Sequence, residues 1–156
     1  MDVSRILPNL FVGSFPSSPT DVDRLKRNFG ITAVLNVQTD DDMADWDVNW
    51  PRLKSYYAEA DVDVRRVPVR DFDPDDLRRQ LLRCVQILDE LLREGHIVYV
   101  HCNMGVNRSP SVVIAYLHWS LDWDLEATAD HVLNCRSCDP YLDAIELASE
   151  DREQNK

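Results

Sequence analysis

The sequence contains the stretch His96-Ile97-Val98-Tyr99-Val100-His101-Cys102-Asn103-Met104-Gly105-Val106-Asn107-Arg108-Ser109-Pro110, from which the fold can be inferred. Residues 96–100 form a compact run rich in β-branched side chains, which is typical of a buried strand. A helical pattern of apolar residues begins near residue 109 and continues to residue 119. The stretch therefore predicts a strand, a short loop and a helix in succession, a unit from which α/β proteins are assembled.

The apolar patterns elsewhere in the chain also alternate between strands and helices. Short apolar runs predict strands at residues 6–12, 31–37 and 62–69, the first of them at a sheet edge. Capping residues, prolines and apolar spacing predict helices at residues 20–29, 51–59, 73–95, 124–133 and 140–148. This alternation predicts an α/β fold in which helices flank a central mixed, mostly parallel sheet.

Length and charge limit the classes of protein to which the chain can belong. Its 156 residues suit a single domain over residues 1–156, and 44% of them are hydrophobic, enough for a core without disulfide or metal support. The 17 Lys and Arg residues against 28 Asp and Glu residues give a net charge of −11, which disfavours nucleic acid and anionic membranes as partners. A neutral polymer or a small phosphorylated group is compatible with that charge.

The compartment is predicted from features that the sequence lacks. No run of about 18 apolar residues is present, so we expect no transmembrane helix. The first residues lack the basic and apolar regions of a secretory signal, and four unevenly spaced cysteines do not resemble a disulfide framework. We therefore expect a cytoplasmic protein, or a plastid protein if a transit peptide has been removed. We also expect it to be a monomer.

The loop between the predicted strand and helix carries residues that can bind a phosphate group and attack it. Gly105 lets the loop curl, so that backbone amides turn inward next to the positive end of the helix. Those amides belong to Asn103, Met104, Gly105, Val106, Asn107 and Arg108. Arg108 adds a planar guanidinium that can hold two oxygens of one phosphate, and the amides favour the thiolate of Cys102, a strong nucleophile. The pattern predicts a phosphatase that forms a cysteinyl-phosphate.

Departure of the alcohol requires a general acid, and two candidates follow the strand at residues 62–69. Asp73 precedes Pro74 at a helix start and is assigned to the helix cap, which leaves Asp71 in the loop to protonate the leaving oxygen. The hydroxyl of Ser109 can stabilise the departing thiolate, with a simple N-cap as its alternative role. His101 has no second ligand at a metal-binding spacing, so we expect neither a metal nor another cofactor.

Two further motifs receive a structural interpretation. The acidic run Asp40-Asp41-Asp42 is interpreted as a solvated loop, because like charges repel and extend a chain. Cys135 and Cys138 have the C-x-x-C spacing of redox and zinc sites, but no second pair completes a zinc site. Neither motif is therefore assigned to the chemistry.

Taken together, the motifs resemble those of the protein tyrosine phosphatase superfamily, in its dual-specificity branch. The resemblance rests on residues 6–13, on Asp71 in the acid loop, and on the HC-x5-R core from His101 to Arg108, which continues into Ser109. It covers nearly the whole chain. It implies the family fold, a central sheet flanked by helices with the phosphate loop at its centre, and cysteine-dependent phosphatase activity.

Within that branch the sequence is most similar to the plant starch-excess type of glucan phosphatase. The similar segments are residues 34–38 with the acidic stretch to Trp46, residues 70–73, and residues 136–145. In those enzymes, aromatic side chains around the cleft stack on glucose rings, and Trp46 and Phe72 occupy the matching positions here. The resemblance therefore implies a phosphoglucan as substrate, with ordinary packing as the alternative role of both aromatics.

Other functions are compatible with parts of the pattern. Ser109 is the residue that protein-directed members usually carry, so a phosphatase acting on phosphotyrosine and phosphoserine or phosphothreonine in proteins is the alternative. An inactive phosphate-binding module is a remote one, because such modules typically lack the cysteine, the arginine or the acid, and this chain has all three. RNA 5′-triphosphatases share the loop, but the net charge of −11 disfavours them.

Overall fold

The computed structural model describes residues 1–156 and contains a five-stranded sheet with helices around it. The strands are β1 (Val3–Leu7), β2 (Leu10–Gly13), β3 (Ala33–Asn36), β4 (Asp63–Arg66) and β5 (Val98–His101). The helices are α1 (Pro19–Phe29), α2 (Asp40–Asp45), α3 (Trp50–Glu59), α4 (Pro74–Arg93), α5 (Arg108–Ser120), α6 (Leu125–Cys135) and α7 (Leu142–Gln154). This architecture confirms the α/β fold class predicted from the sequence.

The sheet has strand β5 at its centre. The strand order is β1-β2-β5-β3-β4, and the β1–β2 pair is antiparallel while the other pairs are parallel. In the parallel part, His101 at the end of β5 is level with Gly13 at the end of β2 and with Asn36 at the end of β3. The segments that follow these strands therefore leave the sheet on the same side, at the carboxyl ends of the strands, where open α/β sheets form their binding sites.

Helices cover both faces of the sheet. Helices α4, α5, α6 and α7 pack on one face, and helices α1 and α3 pack on the other. Helix α5 is buried from Arg108 to Leu117, and β5 is buried along its whole length. Burial of these two elements fixes both ends of the loop that joins them. None of the helices is both long and apolar enough to cross a membrane.

Two predicted strands differ most from the observed ones, in each case near a proline. Residues 6–12 do not form one edge strand, because Pro8 and Asn9 make a turn that divides the segment between β1 and β2. The edge position belongs to β1, whereas β2 pairs on both sides. The strand predicted at residues 62–69 is limited to Asp63–Arg66, and Pro68, which lacks a backbone N–H, lies beyond its end.

The expectation of a solvated acidic loop at residues 40–42 is wrong. These residues begin helix α2, and Thr39 and Asp42 form a capping box at its start. The Asp42 amide donates to Thr39 Oγ1 at 3.1 Å, and the Thr39 amide donates to Asp42 Oδ2 at 2.9 Å. Because carboxylates are stabilised at the positive end of a helix, three adjacent acids favour helix initiation here.

Candidate active site

The loop between β5 and α5 forms the base of the candidate site. It runs from Cys102, immediately after β5, to Arg108, the first residue of α5. Gly105 has a φ of 68°, and a Cβ atom there would lie 2.6 Å from the carbonyl carbon of Gly13. Any side chain would therefore collide with β2, and glycine is required for the loop to turn at this point.

Cys102 lies at the start of that loop with 3% of its surface exposed. Its sulphur is 3.2 Å from Oγ of Ser109. Ser109 is the second residue of α5, and Asn107 occupies the cap position, so Ser109 does not act as an N-cap. A hydroxyl this close to the sulphur can donate to a thiolate and stabilise its charge.

Arg108 is 1% exposed and holds its guanidinium in a fixed orientation. Its Nη1 donates to Oδ2 of Asp42 at 2.7 Å and to the carbonyl of Val69 at 2.6 Å. Nη2 is 3.3 Å from Oδ2 of Asp71, an ion-pair distance without hydrogen-bond geometry. Nε and Nη2 are buried and have no hydrogen-bond partner. These two nitrogens form one edge of the planar group, the edge that binds two oxygens of an anion.

The two acids after β4 have different positions. Asp73 caps helix α4, because its Oδ1 accepts from the amide of Asp76 at 2.9 Å, which confirms the assignment made from the sequence. Asp71 lies in the preceding turn, where its Oδ1 accepts from the Phe72 amide at 3.1 Å and its Oδ2 faces Arg108. A carboxylate at the cleft with a single backbone hydrogen bond is placed to exchange a proton with a bound group.

A cavity of about 260 Å³ opens above the loop. It is lined by Asp71, Phe72, Cys102, Asn103, Met104, Val106, Asn107 and Arg108. The structure thus brings together the predicted nucleophile, arginine and acid with most of the predicted phosphate loop, while Gly105 and Ser109 do not line the cavity. Its volume lies just below the range of about 300–1,000 Å³ for pockets that take drug-sized ligands, so it suits a phosphate group and the first group attached to it.

Both aromatics that the resemblance assigns to substrate binding are exposed. Phe72 is 86% exposed and lines the cavity beside Asp71. Trp46 is 47% exposed and lies outside the cavity lining, where its ring packs on Phe15 with the ring centroids 5.4 Å apart. The Phe15 amide donates to the Asn103 carbonyl at 2.9 Å, so the Phe15–Trp46 pair lies beside the phosphate loop. Neither Phe72 nor Trp46 is part of the buried core.

Arg136 holds the phosphate loop from behind, a contact that sequence reasoning missed. Its Nε donates to the Gly105 carbonyl at 2.7 Å, and its Nη2 donates to the Met104 carbonyl at 3.0 Å. Further contacts to Oγ of Ser4 at 3.1 Å and to the Asp2 carboxylate tie the same guanidinium to the N-terminal segment. Carbonyls that point back toward Arg136 leave the neighbouring amides free to face the cleft.

The other histidine and cysteine side chains near the loop have structural surroundings. His101 is buried at the end of β5, and its Nδ1 donates to the Cys102 carbonyl at 3.1 Å. Burial lowers the pKa of His101 to about 4, so the ring orients the loop as a neutral group near pH 7. Cys135 and Cys138 are free thiols, and burial raises the pKa of Cys138. No group of three or more His, Cys, Asp or Glu side chains is arranged to hold a metal ion.

Comparison with known proteins places this site in a family. The family model described as "Dual specificity phosphatase, catalytic domain" matches residues 10–142, most of the chain. The chain belongs to the dual-specificity phosphatase family. The resemblance inferred from the HC-x5-R core and the acid loop is thereby confirmed. The crystal structure of PTPMT1 is similar to this chain, with a TM-score of 0.78 over 99% of both chains at 22% identity, which shows the fold alone.

Two curated relatives of this dual-specificity phosphatase domain carry phosphoglucan in their names. "Phosphoglucan phosphatase LSF1, chloroplastic" of Arabidopsis thaliana is 36% identical over 151 residues, 97% of this chain and 25% of the relative. "Phosphoglucan phosphatase DSP4, amyloplastic" of Castanea sativa is 36% identical over 148 residues, 94% of this chain and 39% of the relative. The predicted similarity to glucan phosphatases is confirmed. The chain spans well under half the length of these relatives, so their activities are a matter for proposal here.

Proposed function

We propose that this chain is a cysteine-dependent phosphatase that removes phosphate from a phosphorylated glucan through a cysteinyl-phosphate intermediate. The observation that carries the proposal is the pair of buried nitrogens on Arg108, Nε and Nη2, that have no hydrogen-bond partner and belong to a residue lining the same cavity as Cys102. Leaving a buried donor without a hydrogen bond costs about 1–3 kcal/mol. A guanidinium edge with two such donors therefore indicates that the cavity binds an anion through two of its oxygens.

In the first step, the Cys102 thiolate attacks phosphorus, and a sulphur–phosphorus bond replaces the bond between phosphorus and the sugar oxygen. The amides of residues 103–108 and the Arg108 fork hold the three other oxygens of the phosphoryl group. Asp71 enters this step as the protonated acid and gives its proton to the departing oxygen, so the glucan leaves as an alcohol.

In the second step, a water molecule attacks the phosphorus of the cysteinyl-phosphate. The Asp71 carboxylate accepts a proton from that water, and the sulphur–phosphorus bond breaks. Cys102 departs as a thiolate, which accepts a hydrogen bond from the Ser109 hydroxyl, 3.2 Å from the sulphur in the resting protein. Inorganic phosphate leaves, and Asp71 holds the proton needed for the next turnover. The groups that the protein contributes to the two steps are the side chains of Cys102, Arg108, Asp71 and Ser109 and the loop amides.

A glucan is supported as the substrate by the surface around the cavity. Phe72 offers an exposed ring directly beside Asp71, and the Trp46 ring lies on Phe15 next to the phosphate loop. Such rings can cover the apolar faces of sugar rings. The net charge of −11 suits a neutral polymer with scattered phosphate groups better than a polyanion. The names of the two relatives described above agree with this substrate.

The two alternative functions have less support. The presence of Ser109, which favoured a phosphoprotein, is explained by its contact with Cys102, because thiolate stabilisation is needed whatever the leaving group is. An inactive phosphate-binding module would have no use for an acid at the cleft, yet Asp71 lies 3.3 Å from the catalytic arginine candidate, Arg108. We therefore rank the phosphoprotein second and the inactive module last.

The test compares phosphate release from phosphorylated amylopectin, a phosphotyrosine peptide and p-nitrophenyl phosphate, with Cys102→Ser as the blank. We expect turnover of all three by the unmodified protein, with the largest kcat/KM on amylopectin, and none by the variant. A preference for the peptide, with amylopectin at background, would make the chain a protein phosphatase. Absence of turnover with all substrates across pH 5–8 would favour the inactive module.

We further propose that residues 1–156 act as one catalytic domain and as a monomer, since the candidate nucleophile, arginine and acid all line one cavity of a single chain and the proposed chemistry needs no second copy. The cytoplasm or a plastid is the proposed compartment, and two relatives are named chloroplastic and amyloplastic. Light scattering on the purified protein tests the monomer, and fluorescence microscopy of the tagged full-length protein tests the compartment. A stable dimer or a secreted product would contradict these proposals.

A further inference from the structure

Asp42 contacts both ends of the phosphate loop. Its Oδ2 accepts from Nη1 of Arg108 at 2.7 Å and from the Thr39 amide at 2.9 Å. Its Oδ1 accepts from Nδ2 of Asn103 at 3.2 Å. Asn103 follows Cys102 directly, and Arg108 ends the loop. One carboxylate from a separate helix therefore connects the beginning of the loop to its end.

The carboxylate of Asp42 is ionised in this position. Burial raises its pKa, but the hydrogen bonds from Arg108, Thr39 and Asn103 together with the charge of Arg108 outweigh burial, and the pKa lies below its ordinary value. Asp42 is thus a charged partner for an arginine that is almost completely buried. Such a pair has strong directional preference, because each hydrogen bond is assisted by charge.

The contact with Asp42 determines which nitrogens of Arg108 are free. A guanidinium is planar and rigid, so holding Nη1 between Asp42 and the Val69 carbonyl fixes the direction of the whole group. Nε and Nη2 are then left without hydrogen-bond partners on the edge available to an anion. Asp71 also approaches the guanidinium, but at 3.3 Å and without hydrogen-bond geometry, so it does not set this orientation.

We propose that Asp42 is a positioning residue of this enzyme: it aims the free edge of Arg108 at the phosphate and, through Asn103, holds the start of the loop in register with its end. The inference rests on the proposed phosphatase function. Asp42 does not touch the substrate, and its effect passes through Arg108. Removal of the Asp42 carboxylate therefore weakens binding of the phosphoryl group by Arg108, whatever alcohol the phosphate is attached to.

The decisive variant is Asp42→Asn, which keeps the shape of the side chain and removes its charge. Loss of a charge-assisted hydrogen bond is expected to lower kcat/KM for p-nitrophenyl phosphate by about 10- to 100-fold. Amylopectin should show the same factor. In the Cys102→Ser background, calorimetry should show weaker binding of inorganic phosphate, which a purely structural role would not change. Asp42→Glu keeps the charge and should recover part of that binding.

Two control variants separate positioning from other effects. Thr39→Ala removes the other half of the capping box at α2 but leaves the Asp42 carboxylate and its contact with Arg108. Asp41→Asn removes the same charge from an exposed neighbour on the same helix. We expect Thr39→Ala to lower the Tm without weakening phosphate binding, and Asp41→Asn to change neither. Circular dichroism establishes that each variant is folded.

Each outcome has a separate meaning. Wild-type phosphate binding and kcat/KM in folded Asp42→Asn would overturn the positioning role, while Cys102-dependent turnover by the unmodified protein would leave the proposed function intact. Equal losses in Asp42→Asn and Thr39→Ala would also overturn it, since helix capping would then account for the effect. If the unmodified protein shows no turnover, the proposed function fails, yet phosphate binding by the Cys102→Ser variants still decides the role of Asp42.

Discussion

Replacement of Ser109 by alanine removes a single hydroxyl whose partner is the catalytic sulphur candidate, Cys102. The hydroxyl is fully buried and lies 3.2 Å from that sulphur. A hydrogen bond to a charged group contributes about 1.5–3 kcal/mol, which corresponds to a rate change of about 10- to 100-fold when the charge appears in the transition state. In the proposed mechanism, negative charge returns to sulphur in the second step. We therefore expect Ser109→Ala to slow hydrolysis of the cysteinyl-phosphate by that factor.

The first step should be affected less by the same change. A thiolate that has lost a hydrogen bond is less stable but also a stronger nucleophile, and the two effects partly offset each other. Hydrolysis of the intermediate then limits the rate, and the phosphorylated enzyme accumulates. Stopped-flow mixing with p-nitrophenyl phosphate should show a rapid burst of p-nitrophenol, equal in amount to the enzyme, followed by slow turnover. Mass spectrometry of the quenched reaction should detect the phosphorylated protein.

Ser111→Ala is the matched control for this prediction. Ser111 is also a buried serine of α5, but its hydroxyl donates to the Asn107 carbonyl at 2.7 Å and accepts from the Tyr141 amide at 3.0 Å. It makes no contact with Cys102, so its loss should lower stability without producing a burst. Wild-type kcat and no burst in folded Ser109→Ala would refute the assigned role of the hydroxyl. A burst of equal size in Ser111→Ala would show that the effect is not specific to Ser109.

Three further changes test other parts of the site. Phe72→Ala should lower kcat/KM on phosphorylated amylopectin by about tenfold, because burying a Phe ring against the substrate contributes about 1.5 kcal/mol or more. The same variant should affect p-nitrophenyl phosphate less, and equal losses on both substrates would contradict a ring-binding role. Leu133→Ala, at an exposed apolar residue of α6, is the control. Arg136→Ala should lower kcat/KM on every substrate by about 10- to 100-fold, because the Gly105 and Met104 carbonyls lose their hydrogen-bond donors. Unchanged activity would mean that the phosphate loop keeps its conformation without Arg136. His101 resists protonation in the fold, with a pKa of about 4 against 6.5 when unfolded, so its contribution to stability is complete above pH 6.5 and is lost as the pH falls toward 4. Between pH 7 and pH 4, protonation of His101 should lower the free energy of unfolding of the unmodified protein by about 3 kcal/mol. His101→Gln should therefore reduce the fall of the urea midpoint over this pH range. An equally steep fall in the variant would exclude His101 as its source.

The features that could be predicted from the sequence are those whose partners lie close together in the chain. The candidate nucleophile, amides and arginine occupy one short loop, so the proposed chemistry could be inferred from residues 102–108 alone. The division of roles between Asp71 and Asp73 is likewise local, because a proline directly after Asp73 marks it as a helix cap. The alternation of strand and helix patterns was sufficient for the fold class. The hairpin at Pro8 was missed because only two residues, Pro8 and Asn9, separate the apolar residues of β1 from those of β2.

The supports of the loop could not be predicted because their partners are distant in sequence. Asp42 and Arg108 are 66 residues apart, and Arg136 and Gly105 are 31 residues apart. Local charge repulsion suggested that the acidic run was a solvated loop, but a capping box and an ion pair with a buried arginine give one of its members, Asp42, a different role from a solvated charge. The C-x-x-C spacing is typical of functional cysteines, but the residue of this motif that contacts the phosphate loop is Arg136, which lies between Cys135 and Cys138.

The charges around the cleft explain how so acidic a protein can bind phosphate. Arg108 is the cation at the site, yet Asp42 already balances its charge and Asp71 faces the same guanidinium. Attraction for the phosphoryl group therefore has to come largely from the inward-facing amides and the positive end of α5, with Arg108 supplying geometry more than net charge. It follows that the shape of the loop, which depends on Gly105 and Arg136, matters as much for binding as the arginine itself.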